Sequence, residues 1–183
     1  MTVPAADRSD CAVDVMEICR ELTTPCDAER LFAWVEDLDH YPEWMSLVHS
    51  IQRLDSHGST SAPLAWNVEL RAQVGPFARS KVLRMERSEH SAPGPGPDFA
   101  AGRATFERRE LDGRAHSAWT LRATVVPGPT TAASHLSMEL QYGGSLWGGP
   151  ILQRVLDDAI GRASEKLVDV VSAAPAPPDQ SRH

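Results

Sequence analysis

Residues 148–171 read GGPILQRVLDDAIGRASEKLVDVV. Pro150 suits a first helical turn, where its missing amide donor costs nothing. Ile151, Leu152, Val155, Leu156, Ala159, Ile160, Ala163, Leu167 and Val170 form one stripe, with Arg154, Asp157, Asp158, Arg162, Glu165 and Lys166 opposite. With about 3.6 residues per turn, this is an amphipathic helix of roughly six turns. So long an apolar stripe has to be covered by another layer, and the residues before it supply one.

Upstream, Leu64, Trp66, Val68, Leu70, Ala72 and Val74 alternate with Asn67, Glu69, Arg71 and Gln73, the two-residue period of a strand with one dry face. Ser80 to Arg87 continues as a second strand after a turn at Gly75-Pro76-Phe77. Five alternating prolines and glycines, Pro93 to Pro97, exclude regular structure and predict a long hairpin loop over Ser91–Asp98. Three more strands are predicted at Ala100–Arg109, Ser117–Val126 and Ala133–Tyr142, divided by turns at Asp112-Gly113 and Pro127-Gly128-Pro129. Trp119, Leu121, Ala123 and Val125 share one face of the second, and Leu136, Met138, Leu140 and Tyr142 one face of the third. This is an antiparallel meander with one wet side. Weaker alternation predicts strands over Val13–Leu22 and Val48–Asp55. Asp27 caps a helix over Ala28–Leu38, and a second short helix is predicted over Tyr41–Leu47. The resulting class is α+β, and strongly twisted strands curling round the last helix leave a cavity between the layers.

Composition bounds the function. A chain of 183 residues argues for one domain, here residues 11–172, with residues 1–10 and 173–183 read as disordered tails. Eighteen basic against 25 acidic residues give a net charge of -7. That removes the basic footprint of a nucleic-acid binder. No run approaches the roughly 20 apolar residues of a transmembrane segment, and residues 1–10 lack a secretory signature, so the chain is expected in the cytoplasm. Cys11, Cys19 and Cys26 fit neither a disulfide framework nor a CxxC motif. The seven histidines lack metal-ligand spacing, and neither a GxSxG elbow nor a phosphate loop is present. No metal or organic cofactor is expected, and monomer and homodimer stay open. The chain has four Phe, two Tyr and five Trp, a skew towards the largest side chain.

Leu22-Thr23-Thr24-Pro25-Cys26-Asp27-Ala28-Glu29-Arg30-Leu31-Phe32-Ala33-Trp34, followed by Asp37-Leu38-Asp39-His40-Tyr41-Pro42-Glu43-Trp44, resembles the opening of the START-like (SRPBCC) superfamily. It is most similar to the bacterial polyketide cyclase/dehydrase and lipid-transport members. Gly75 to Lys81 and Tyr142-Gly143-Gly144 agree, so the resemblance spans about residues 12–172. It implies a helix-grip fold: a curved seven-stranded antiparallel sheet wrapped around the long last helix, with two short helices between strands 1 and 2. It also implies an elongated pocket for an apolar or amphipathic small molecule.

On this reading Trp66, Val68, Leu70, Leu83, Met85, Phe106, Trp119, Leu121, Met138, Leu140 and Tyr142 point from the sheet towards Ile151, Val155 and Ala159 of the helix. Tyr41 and Trp44 are placed at the pocket mouth. The five tryptophans, Trp34 and Trp147 included, read as lining and lid of one pocket. Arg84 and Arg108 are read as solvent-facing, although a one-residue change of register would turn either inward. The expected function is binding of a hydrophobic or aromatic small molecule, lipid or polyketide-like, in a cavity of about 300 Å³ or more. The alternative is a cofactor-independent polyketide cyclase/aromatase, which needs polar groups converging in the pocket.

Overall fold

The computed structural model describes residues 15–54, 62–74, 77–94, 100–130, 132–143 and 150–173; the side chains of residues 15, 73, 74, 77–79 and 150–157 are not described. The elements run β1 (Val15–Thr24), α1 (Ala28–Val35), a 3-10 turn (Leu38–His40), α2 (Tyr41–Trp44), β2 (Val48–Leu54), β3 (Ala65–Val74) and β4 (Phe77–Ser91), then β5 (Gly102–Arg108), β6 (Trp119–Pro127), β7 (Ser134–Gly143) and α3 (Pro150–Ala173). The strands form one seven-stranded sheet in the order β1-β7-β6-β5-β4-β3-β2, antiparallel throughout. The expected helix-grip architecture is present, with α3 ending on Ala173, one residue into the predicted tail. The remaining tail residues and Trp147 lie outside the described residues.

Two expected helices are shorter than their apolar spacing suggested. α1 stops at Val35 and a 3-10 turn takes Leu38–His40, because the Asp37 side chain accepts from the Asp39 amide and starts a new turn there. The Asp27 carboxylate caps α1 by accepting from the Arg30 amide at 2.7 Å. Leu31, Phe32 and Val35 bury one side of α1 against the sheet. Phe32 can come so close because β5 opens with glycine: a Cβ on Gly102 would sit 2.8 Å from the Phe32 ring.

Side chains then fix this small helical layer to the sheet. The Tyr41 hydroxyl donates to the Val35 carbonyl at 3.0 Å, and Arg87 donates to the Glu36 carbonyl at 3.1 Å, so both satisfy acceptors at the end of α1. Arg53 on β2 pairs with Asp37 and Asp39 and lays its guanidinium over the Trp66 ring. The main core lies between sheet, α1, α2 and the second half of α3, from Leu31 and Trp66 to Leu167 and Val171. A smaller cluster of Ile18, Leu140 and Ile160 lies apart from it. Among the described residues no helix is long and apolar enough to cross a membrane.

Candidate functional site

The inner face of the sheet is built in rows. Strand register places Met16 beside Tyr142, Tyr142 beside Trp119, Met85 beside Arg108, and Trp66 between Met85 and Arg53. Since Glu107 faces Thr120, the next inward residues on β5 and β6 are Arg108 and Trp119. The adjoining row runs Ile18, Leu140, Leu121 and Phe106.

Sheet curvature turns Val48 and Leu70 of β2 and β3 towards Ile18 and Leu140 of β1 and β7, and an apolar cavity of about 70 Å³ remains between them. Tyr41, Met45, Leu47, Leu121, Met138 and Ile160 complete its wall. Of the predicted site residues, the cavity therefore brings together Tyr41, Leu70, Leu121, Met138 and Leu140. Ile18, Met45, Leu47, Val48 and Ile160 line it as well, without having been singled out. The expected volume of about 300 Å³ is not reached in this space, because much of the predicted wall packs upon itself. Trp66 and Phe106 are fully buried in edge contact at 5.7 Å, with Val68, Leu83 and Met85 beside them in the main core. Trp119 and Tyr142 pack edge to face at 5.0 Å. The side chains of Ile151 and Val155 lie outside the described residues.

Tyr41 and Trp44 are not at a mouth. Each is 1% exposed, and their rings touch at 4.6 Å beneath α2. Burial, followed by the charge of Asp37, holds the Tyr41 phenol far above its ordinary value, so it stays neutral. Nor do the described tryptophans share one pocket: Trp44 and Trp66 are core, and half-buried Trp34 packs at a tilt against His40 with ring centroids 5.1 Å apart.

The two arginines differ. Arg84 sits between inward Leu83 and Met85 and therefore points outward, where it pairs with Glu86 and donates to the Arg109 carbonyl at 2.8 Å. Arg108 shares the face of Phe106 and Ala104 with no register change, which corrects the solvent-facing assignment. Its side chain is 7% exposed, with Nε donating to Glu110 at 2.7 Å. Lys81 is opposite Leu70, in step with inward Leu83 and Met85. Burial and then the charge of Arg108 lower its pKa, and Glu110 opposes them. Three buried donors, Trp44 Nε1, Trp66 Nε1 and the Tyr142 hydroxyl, have no hydrogen-bond partner among the described residues. Also among those residues, no group of three His, Cys, Asp or Glu is placed to hold a metal ion.

Residues 24–168 match the family described as polyketide cyclase/dehydrase and lipid transport. The chain belongs to that family. Solved structures agree on the fold. A START superfamily protein from Mycobacterium smegmatis is 14% identical, with a TM-score of 0.61 over 85% of this chain and 97% of its own. A protein from Thermus thermophilus is 16% identical, with a TM-score of 0.60 over 88% and 100%. The Zhui aromatase/cyclase from Streptomyces sp. R1128 is 9% identical, with a TM-score of 0.57 over 86% and 94%. At these identities the likeness extends to the fold alone. No curated protein matches the chain in sequence. Within the family's fold, the rows of Arg108 and Leu121 are where this chain places a charged group next to an apolar wall.

Proposed function

We propose that the chain binds a hydrophobic small molecule, aromatic or lipid-like, between the inner face of its sheet and α3. The observation that carries this reading is the apolar cavity bounded by β1, β7, β6, β3, β2, α2 and α3. Its polar lining group, the Tyr41 hydroxyl, already donates to the Val35 carbonyl, so the wall offers a guest shape and apolar area. At about 70 Å³ the space is smaller than the roughly 150 Å³ that accepts a benzene-sized guest in an apolar cavity. Met45 and Met138 in the wall are unbranched and adaptable, and their rotamers give a larger guest its room. Native mass spectrometry of the purified chain tests the reading. Retained apolar mass is expected, and it should be lost in Ile160→Trp, which fills the cavity. A bare chain that also fails to take up an added apolar dye would count against it.

A cofactor-free polyketide cyclase is the second reading. Its support is the family membership together with two cations, Arg108 and Lys81, on the inward-facing side of the sheet, where a developing enolate needs stabilisation. Incubation with a reactive poly-β-ketone should then change the product distribution relative to a protein-free control. An unchanged distribution counts against catalysis and leaves binding standing.

A further inference from the structure

Arg108 is a cation taken out of water, and such a group needs partners on every side. Nε donates to Glu110 at 2.7 Å, Nη1 to the Ser117 carbonyl at 3.4 Å, and Nη2 to His116 Nδ1 at 3.1 Å. For Nδ1 to accept, the His116 ring proton has to be on Nε2, where Asp112 receives it at 2.8 Å. A guanidinium has five N–H donors, and among the described residues three are used, which leaves one on each terminal nitrogen. Both can donate to an added carboxylate, the group for which a guanidinium's planar set of donors is suited.

The surrounding charge points the same way. Lys81 lies on the same inward side of the sheet, half-buried and four residues along β4 from Met85, the strand partner of buried Arg108, and among the described residues Glu110 is the carboxylate that acts on both cations. Left alone two cations on one inward face repel; burial first, and then the charge of Arg108, lower the Lys81 pKa. A second anion between them would relieve the repulsion. An independent sign comes from the same row, where the Tyr142 hydroxyl, on a residue 2% exposed, has no partner among the described residues. Two residues of the apolar cavity's wall neighbour this row: Leu70 is the strand partner of Lys81, and Leu121 follows Trp119 two residues along β6.

We propose, on the footing that the inner face binds a ligand, that Arg108 and Lys81 form a carboxylate-binding end to it, and that the ligand is an amphipathic acid with an apolar body. Glu110 and His116 are positioning residues that hold the guanidinium. The probes are 2-naphthylacetate and its methyl ester, titrated calorimetrically at low salt. The carboxylate should bind about tenfold tighter than the ester or more, the scale of one hydrogen bond to a charged group. In Arg108→Gln and in Lys81→Met the two affinities should converge, and added salt should narrow the gap in the wild type. Equal affinities in the wild type, or a preference that survives both variants, would overturn the carboxylate end while leaving ligand binding intact. Failure of both probes to bind overturns the binding reading and this one together. Should Arg108→Gln not fold, Lys81→Met, at a less buried position, carries the comparison.

Discussion

Tyr142 holds a phenol in the core with nothing to donate to among the described residues. A buried, unsatisfied donor costs about 1 to 3 kcal/mol, so Tyr142→Phe should leave stability unchanged or raise it by about 1 kcal/mol in urea titrations. If the hydroxyl serves a ligand, the same change weakens the affinity for the naphthyl acid. A clear loss of stability would mean that the hydroxyl has a partner after all. Lys81 gives a pH test. Its folded pKa is below the ordinary lysine value of 10.5, chiefly through burial and then Arg108, so the charged form is less favoured folded than unfolded. That penalty is complete below the folded value and vanishes as pH rises to 10.5. Wild-type stability measured against Lys81→Met should therefore improve across that window, and a flat difference would contradict the assignment. Arg108 was legible in the sequence, because it is two residues from Phe106 on a strand of period two. Charge alone suggested solvent; strand alternation, with Glu110 in reach, decides otherwise. The length of the cavity wall was less legible, since Met45 and Leu47 occupy an irregular connection that has no period to read.

At the scale of elements, α1 and β5 are joined through one missing side chain. A Cβ on Gly102 would lie 2.8 Å from Phe32 Cδ2 and equally close to Pro93 Cδ, both on buried residues. Gly102→Ala should destabilise by about 1 to 3 kcal/mol, the usual cost of overpacking. Adding Phe32→Leu should recover part of it, and a neutral Gly102→Ala would show that α1 shifts freely. β3, β6, β7 and α3 were readable because each keeps one period over nine or more residues. The ends of α1 and α2 were not, since Leu38 continues a helical apolar spacing whereas the Asp37 side chain starts a separate turn. There a local hydrogen bond overrode periodicity.

For the whole molecule, the grip of the sheet on α3 leaves, among the described residues, two neighbouring spaces separated by little more than side chains. The cavity shares Met45, Met138 and Ile160 with a narrower space of about 10 Å³ that reaches Trp44, Ala163 and Leu167 under the second half of α3. Sequence pattern predicted a void from the architecture, but it could not show that Trp66, Phe106 and Tyr41 close-pack under the helical layer. Met138→Ala truncates one of the three side chains common to both spaces and should merge them. Truncating a buried methionine costs about 2 to 5 kcal/mol in the empty protein. An apolar guest that fits the merged space returns stability by mass action, about 2.7 kcal/mol at a hundredfold excess over Kd. The variant should thus melt earlier than the wild type when empty and show a larger rise in Tm with a bulky apolar ligand. A variant that melts earlier and gains nothing from any apolar guest would mean that the space beneath α3 is a packing defect, and ligand binding would then have to be sought elsewhere in the fold.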